Sequence, residues 1–236
     1  EFSEFQCPFC MRVLPTLKKI HETYGDKVRV VFKHNPLPFH KDAPGAAKAA
    51  LAAGKQGKFW EMHDLLFTNT KTLKPANLTA YAQKLGLDMA KFEKDSKDPA
   101  LDAAIKADQK LGQTFGARGT PHFFVNGRRL AGAQPFANFK KLIDEELKKA
   151  EALLKKGTPR ANIYAALTAK GATKAKAPKR QQRKPPAVDK TVYKIPTGNS
   201  YAKGGKEPLV TIIEFSEFQC PFCTRVGATL NKIEKA

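Results

Sequence analysis

A thirteen-residue segment built around two cysteines occurs twice in the chain. Glu1–Val13 reads EFSEFQCPFCMRV and Glu214–Val226 reads EFSEFQCPFCTRV, differing only at Met11 and Thr224. Beyond it, Thr16, Leu17, Lys19 and Ile20 recur as Thr229, Leu230, Lys232 and Ile233. The offset of 213 residues far exceeds the unit of a solenoid and points to tandem copies of a whole domain. A chain of 236 residues then holds one full period and the first 23 residues of the next, so a piece of a longer protein is expected.

The elements follow from hydrophobic periodicity and turn residues. Glu1–Phe5 reads as the end of a strand, since LVTIIEF precedes the motif in the second copy. A helix is predicted from Cys7 to about Tyr24, with Val13, Leu17 and Ile20 on one face, Gly25 at its end and a kink at Pro15. The β-branched run Val28–Phe32 predicts a strand buried on both faces, completing a right-handed, parallel βαβ unit. From Asp42 to Gly116 the spacing is helical. Phe59 and Trp60 fall in that stretch at helical spacing with Leu66 and Phe67, and read as core. Two short strands are then predicted on either side of Asn126-Gly127, a strong hairpin signal, followed by an amphipathic helix over Phe136–Lys156.

Charge is unevenly distributed. Of the net +20, residues 1–150 carry +9, whereas residues 155–206 carry +13 with a single acidic side chain, Asp189. No aromatic residue lies between Lys170 and Lys190, so the stretch lacks the basic–aromatic interleaving of a nucleic-acid surface and reads as a solvated, self-repelling linker. No apolar run reaches the roughly 20 residues of a membrane-spanning helix.

The four cysteines, Cys7, Cys10, Cys220 and Cys223, all lie in the two CPFC motifs. Four thiolates could bind zinc, but 209 residues separate Cys10 from Cys220, and duplication accounts for both pairs without a metal. A structural disulfide across two residues constrains the unfolded chain very little. Redox chemistry suits the spacing better. At a helix N-terminus, free backbone N–H groups and the helix dipole favour a thiolate at the first cysteine. Cys7 is therefore expected to be the exposed nucleophile and Cys10 the shielded resolving thiol, with Pro8 at the first helical position. Cys220 and Cys223 are their counterparts in the second copy.

The segments IIEFSEFQCPFC and ARGTPHFFVNG, together with the helical insertion between them, resemble the DsbA-type branch of the thioredoxin superfamily over roughly Glu1 to Lys156. The resemblance implies an α/β thioredoxin fold with a helical insertion between its βαβ and ββα halves. It also implies thiol–disulfide exchange with cysteine-containing protein substrates, a redox partner protein and an extracytoplasmic, periplasmic setting. By position it implies a cis Thr120-Pro121 bond facing CPFC, with Thr120, Pro121 and His122 at the substrate groove. Glu1 (Glu214 in the second copy) and Lys33 would form a buried acid–base pair serving the resolving thiol. Phe9 (Phe222 beside Pro221 in the second copy) stands where strongly oxidising relatives carry histidine, which implies a less oxidising poise. His122 is expected to be partly buried; His21, His34, His40 and His63 are scattered and suggest no metal site. No cofactor beyond the cysteine pair is expected.

The expected organisation is a domain over residues 1–168, a basic linker over 169–207, and the first strand, CPFC motif and helix of an incomplete second copy over 208–236. Leu209–Ile213 is expected to fold back on the first copy's sheet or to swap between chains. The alternative function is a thioredoxin-fold peptide-binding or tethering module with little catalysis.

Overall fold

A computed structural model describes residues 1–175. The second CPFC motif, with Glu214, Cys220, Pro221, Phe222 and Cys223, and the proposed fold-back of Leu209–Ile213 lie outside the described residues.

The order is β1 (Phe2–Ser3), α1 (Pro8–Tyr24), β2 (Lys33–His34), α2 (Ala43–Gly54), α3 (Phe59–Thr68), α4 (Pro75–Lys84), α5 (Met89–Ser96), α6 (Pro99–Thr114), β3 (His122–Val125), β4 (Arg128–Ala131), α7 (Phe136–Lys155) and α8 (Ile163–Thr168). The sheet runs β2-β1-β3-β4, with β1 parallel to β2 and antiparallel to β3. A βαβ unit, a helical insertion and a ββα unit are thus present in the order the residue pattern predicts, and the insertion comprises five helices. Asn126 and Gly127, at φ 44° and 84°, supply the two left-handed residues of the tight turn between β3 and β4. α1 continues as helix through Pro15.

Residues 28–32 depart from expectation. Regular pairing is confined to Lys33–His34, which face Phe2 and Ser3 of β1, and Val31 is half exposed. The ladder is closed by Lys33 N–H to the Glu1 carbonyl at 2.7 Å and Asn35 N–H to the Ser3 carbonyl at 2.9 Å.

Two apolar clusters pack on α1. Val13 and Ile20 meet Phe123 of β3 and Phe139 and Ile143 of α7. Cys7 and Cys10 instead join Phe5 and the inserted helices, including Met62, Leu66 and Phe67. α2 explains how five helices fit there: its buried positions, from Ala43 to Ala53, are all alanine, so neighbouring helices approach closely on several sides. Trp60 corrects the core reading. Phe59 packs against Phe32 with ring centroids 5.8 Å apart, and the next residue, about 100° round the helix, turns outward and is 48% exposed. Among the described residues no helix is long and apolar enough to cross a membrane.

Candidate active site

Cys7 is the N-cap of α1 and Pro8 occupies its first turn, where no helical N–H is lost. The N–H groups of Phe9 and Cys10, unpaired within the helix, turn towards the Cys7 sulfur. Across the site the Thr120–Pro121 bond is cis, and the Cys7 thiol donates to the Thr120 carbonyl at 3.5 Å. The helix terminus and the Thr120–Pro121 segment, 113 residues apart in sequence, therefore meet at one sulfur.

The two thiols differ in ionisation. A hydrogen bond from the Cys10 thiol, aided by the Thr120 side chain and the Cys10 and Phe9 N–H groups, outweighs burial and pulls Cys7 down to about 5. Burial pushes Cys10 far above the ordinary thiol range, and the neighbouring Cys7 adds to the rise. The geometry thus separates a thiolate from a thiol that holds its proton. The expected exposure of Cys7 is not found. It is 2% exposed against 0% for Cys10, with the Thr120 carbonyl at its sulfur and the residue inside the apolar cluster of Phe5; ionisation, not access, distinguishes the pair. Phe9 is half exposed and carries the Arg12 guanidinium 5.0 Å above its ring.

The acid–base expectation needs correction. Lys33 Nζ lies 2.9 Å from Asp108 of α6, whose other oxygen accepts the His34 N–H at 3.0 Å, so Lys33 is committed to Asp108 and does not pair with Glu1. The Glu1 carboxyl is buried and raised by that burial; the Ser3 hydroxyl faces both this carboxyl and the Cys10 sulfur. His122 is more deeply buried than expected, at 6% exposure, and burial with the nearby Arg129 holds it below the usual histidine range.

Sequence reasoning passed over two residues. Glu4 is fully buried: one carboxylate oxygen accepts the Gln6 N–H at 2.7 Å and the other bonds His40 Nδ1. The Glu4 carbonyl accepts the Cys7 N–H at 3.4 Å, and its own N–H is directed at the Cys10 sulfur. A signal existed for Glu4, a carboxylate three residues before the first cysteine and repeated as Glu217, whereas nothing local marks His40.

Residues 1–144 match the sequence profile of the DSBA-like thioredoxin domain. The chain belongs to that family. Among curated proteins it is 41% identical over 133 residues to Na(+)/H(+) antiporter NhaA 3 of Salinispora tropica, a match covering 56% of this chain and 20% of the relative. It is also 38% identical over 133 residues to Na(+)/H(+) antiporter NhaA of Herminiimonas arsenicoxydans, covering 56% and 21%. The chain thus spans about a fifth of the length of these relatives. Among solved structures, a thioredoxin-like oxidoreductase from Silicibacter pomeroyi is similar at TM-score 0.58 and 28% identity, over 63% of this chain and 84% of that one. Pseudomonas aeruginosa DsbA2 is similar at TM-score 0.51 and 26% identity, over 61% and 85%. The DsbA-like fold accounts for the order of elements around the site: β1 leads into the cysteine pair and β3, the first hairpin strand, returns beside it.

Proposed function

We propose that this domain exchanges disulfides with protein substrates through Cys7 and Cys10, in an extracytoplasmic, periplasmic compartment. The observation that carries the reading is the unequal ionisation of the two thiols at the α1 terminus, facing Thr120–Pro121. In the oxidising direction a substrate thiolate attacks Cys7 of the disulfide, an S–S bond forms between them, and Cys10 leaves with the electron pair. A second substrate thiolate then attacks the substrate sulfur of that bond, and Cys7 leaves as its stabilised thiolate. The reducing direction reverses both steps. The cysteine pair carries the electrons and no other cofactor enters. Thr120, Pro121 and His122 border the groove in which an extended substrate chain would lie beside β3. With Phe9 in place of histidine, the poise is less oxidising than that of strongly oxidising relatives.

A peptide-binding or tethering module is the second reading. It is favoured by the antiporter relatives, in which the matched region is a fifth of a longer chain. Insulin reduction and model-dithiol oxidation separate the two. With Cys220 and Cys223 replaced by Ser, turnover abolished by Cys7→Ser supports exchange, and equal absence of turnover in both proteins supports the tether.

A further inference from the structure

The opening of the Cys7–Cys10 disulfide leaves Cys10 as a sulfur anion in a fully buried position, and such a group needs a proton. Two buried carboxyls belong to residues that reach the pair: Glu1, by way of the Ser3 hydroxyl that faces both its carboxyl and the Cys10 sulfur, and Glu4, whose N–H is directed at the Cys10 sulfur and whose carboxyl feels charge on Cys7. No outlet from Glu1 runs through Lys33, which is held by Asp108. Glu4 has one: its carboxylate bonds His40 Nδ1, and the His40 side chain is 20% exposed. His40 also lines a surface cleft of about 420 Å³ with Pro36, Pro38, Lys41 and Lys106. A continuous path of titratable atoms therefore runs from beside the cysteines to solvent.

We propose that Glu4 and His40 form the proton-transfer pair for the Cys10 sulfur, with the cleft at His40 as its mouth. The assignment rests on the exchange reading above. When the substrate–Cys7 bond forms and the Cys7–Cys10 bond breaks, Cys10 departs with the electron pair and takes the Glu4 carboxyl proton. His40 returns a proton to Glu4 and draws one from water in the cleft. In the closing direction Cys10 gives its proton to Glu4 as it attacks the mixed disulfide, and the proton leaves through His40. Burial raises the Glu4 carboxyl above its ordinary range, against the Gln6 N–H and His40, which pull it down. The other groups facing the pair are Asp42, reached through Gln6, and Lys41, Lys106 and Asp102 around the cleft. Gln6 fixes Glu4 from the main chain and Phe39 packs edge-on against His40 at 4.7 Å, which holds both groups in place.

The test uses the full chain with Cys220→Ser and Cys223→Ser. The oxidised protein is mixed with reduced glutathione, and formation and closure of the Cys7–glutathione disulfide are followed by rapid quench and mass spectrometry across pH. Glu4→Gln and His40→Gln should each slow both steps by about tenfold or more and flatten their pH dependence, with Glu4→Asp restoring most of the rate. Because His40 lies at the surface, His40→Gln decides the question alone if Glu4→Gln does not fold. Both variants within about twofold of the parent, with its pH profile, would overturn the assignment and leave exchange standing. A parent protein that forms no glutathione adduct at Cys7 would overturn exchange and the assignment together.

Discussion

Cys7 and Cys10 are separated by two residues and by one turn of helix, yet their sulfurs sit in opposite electrostatic conditions. Cys7 receives hydrogen bonds from Cys10 and the first free N–H groups of α1; Cys10 receives burial and a charged neighbour. Since both are almost fully covered, reactivity follows thiolate population. Brief iodoacetamide treatment of the reduced protein, read by mass spectrometry between about pH 4 and about pH 8, should label Cys7 with a midpoint near 5 and leave Cys10 far behind. Equal labelling of the two thiols, or a Cys7 midpoint near that of a free thiol, would contradict this account. The dipeptide Pro8-Phe9 contributes in two ways, Pro8 by starting the helix without losing a donor and Phe9 by offering its N–H to the sulfur.

Among the elements, α2 shows most directly how composition becomes packing. It joins α3, α4, α5 and α6 behind the cysteine pair, and alanine at each buried position sets how near they come. An isobutyl group in place of a buried methyl would have to displace its neighbours. Ala50→Leu, at a fully buried site, should therefore destabilise the domain by about 1–3 kcal/mol, seen as a lower urea midpoint at unchanged slope. A midpoint equal to that of the parent would mean that the insertion packs less tightly than described. Gly112 of α6 serves close approach in the same way, for a Cβ there would lie 3.1 Å from the Phe2 ring of β1.

For the molecule as a whole, the most consequential buried group is His34. It lies 3% exposed among Phe5, Phe32 and Phe59 with neither ring nitrogen bonded. Desolvation lowers it to about 4 against Asp108, which pulls the other way. The unfolded chain takes up this proton near the ordinary histidine value of about 6.5, while the folded chain refuses it until about 4. Stability should therefore be undiminished by this residue above about pH 6.5 and fall as the pH drops towards 4, by about 3 kcal/mol in all. His63, also lowered by burial, acts in the same direction. His34→Phe should remove most of that loss, measured by urea unfolding at points across the window; an identical loss in the variant would show that His34 is not its source.

Much of this could be read from the residues alone, because the governing interactions are local. A helix that opens at Cys7-Pro8 and stops at Gly25, a hairpin at Asn126-Gly127 and helical spacing from Asp42 to Gly116 each depend on backbone preference and periodicity within a few residues. The same locality made the CPFC pair conspicuous and its chemistry legible. What tertiary structure decided are relations between distant segments: Asp108 rather than Glu1 beside Lys33, and His40 bonded to Glu4. Sequence periodicity states which side chains avoid water; only the packed chain determines which buried charge finds which partner, because that choice rests on Coulomb and hydrogen-bond terms acting over a few ångströms between segments far apart in sequence.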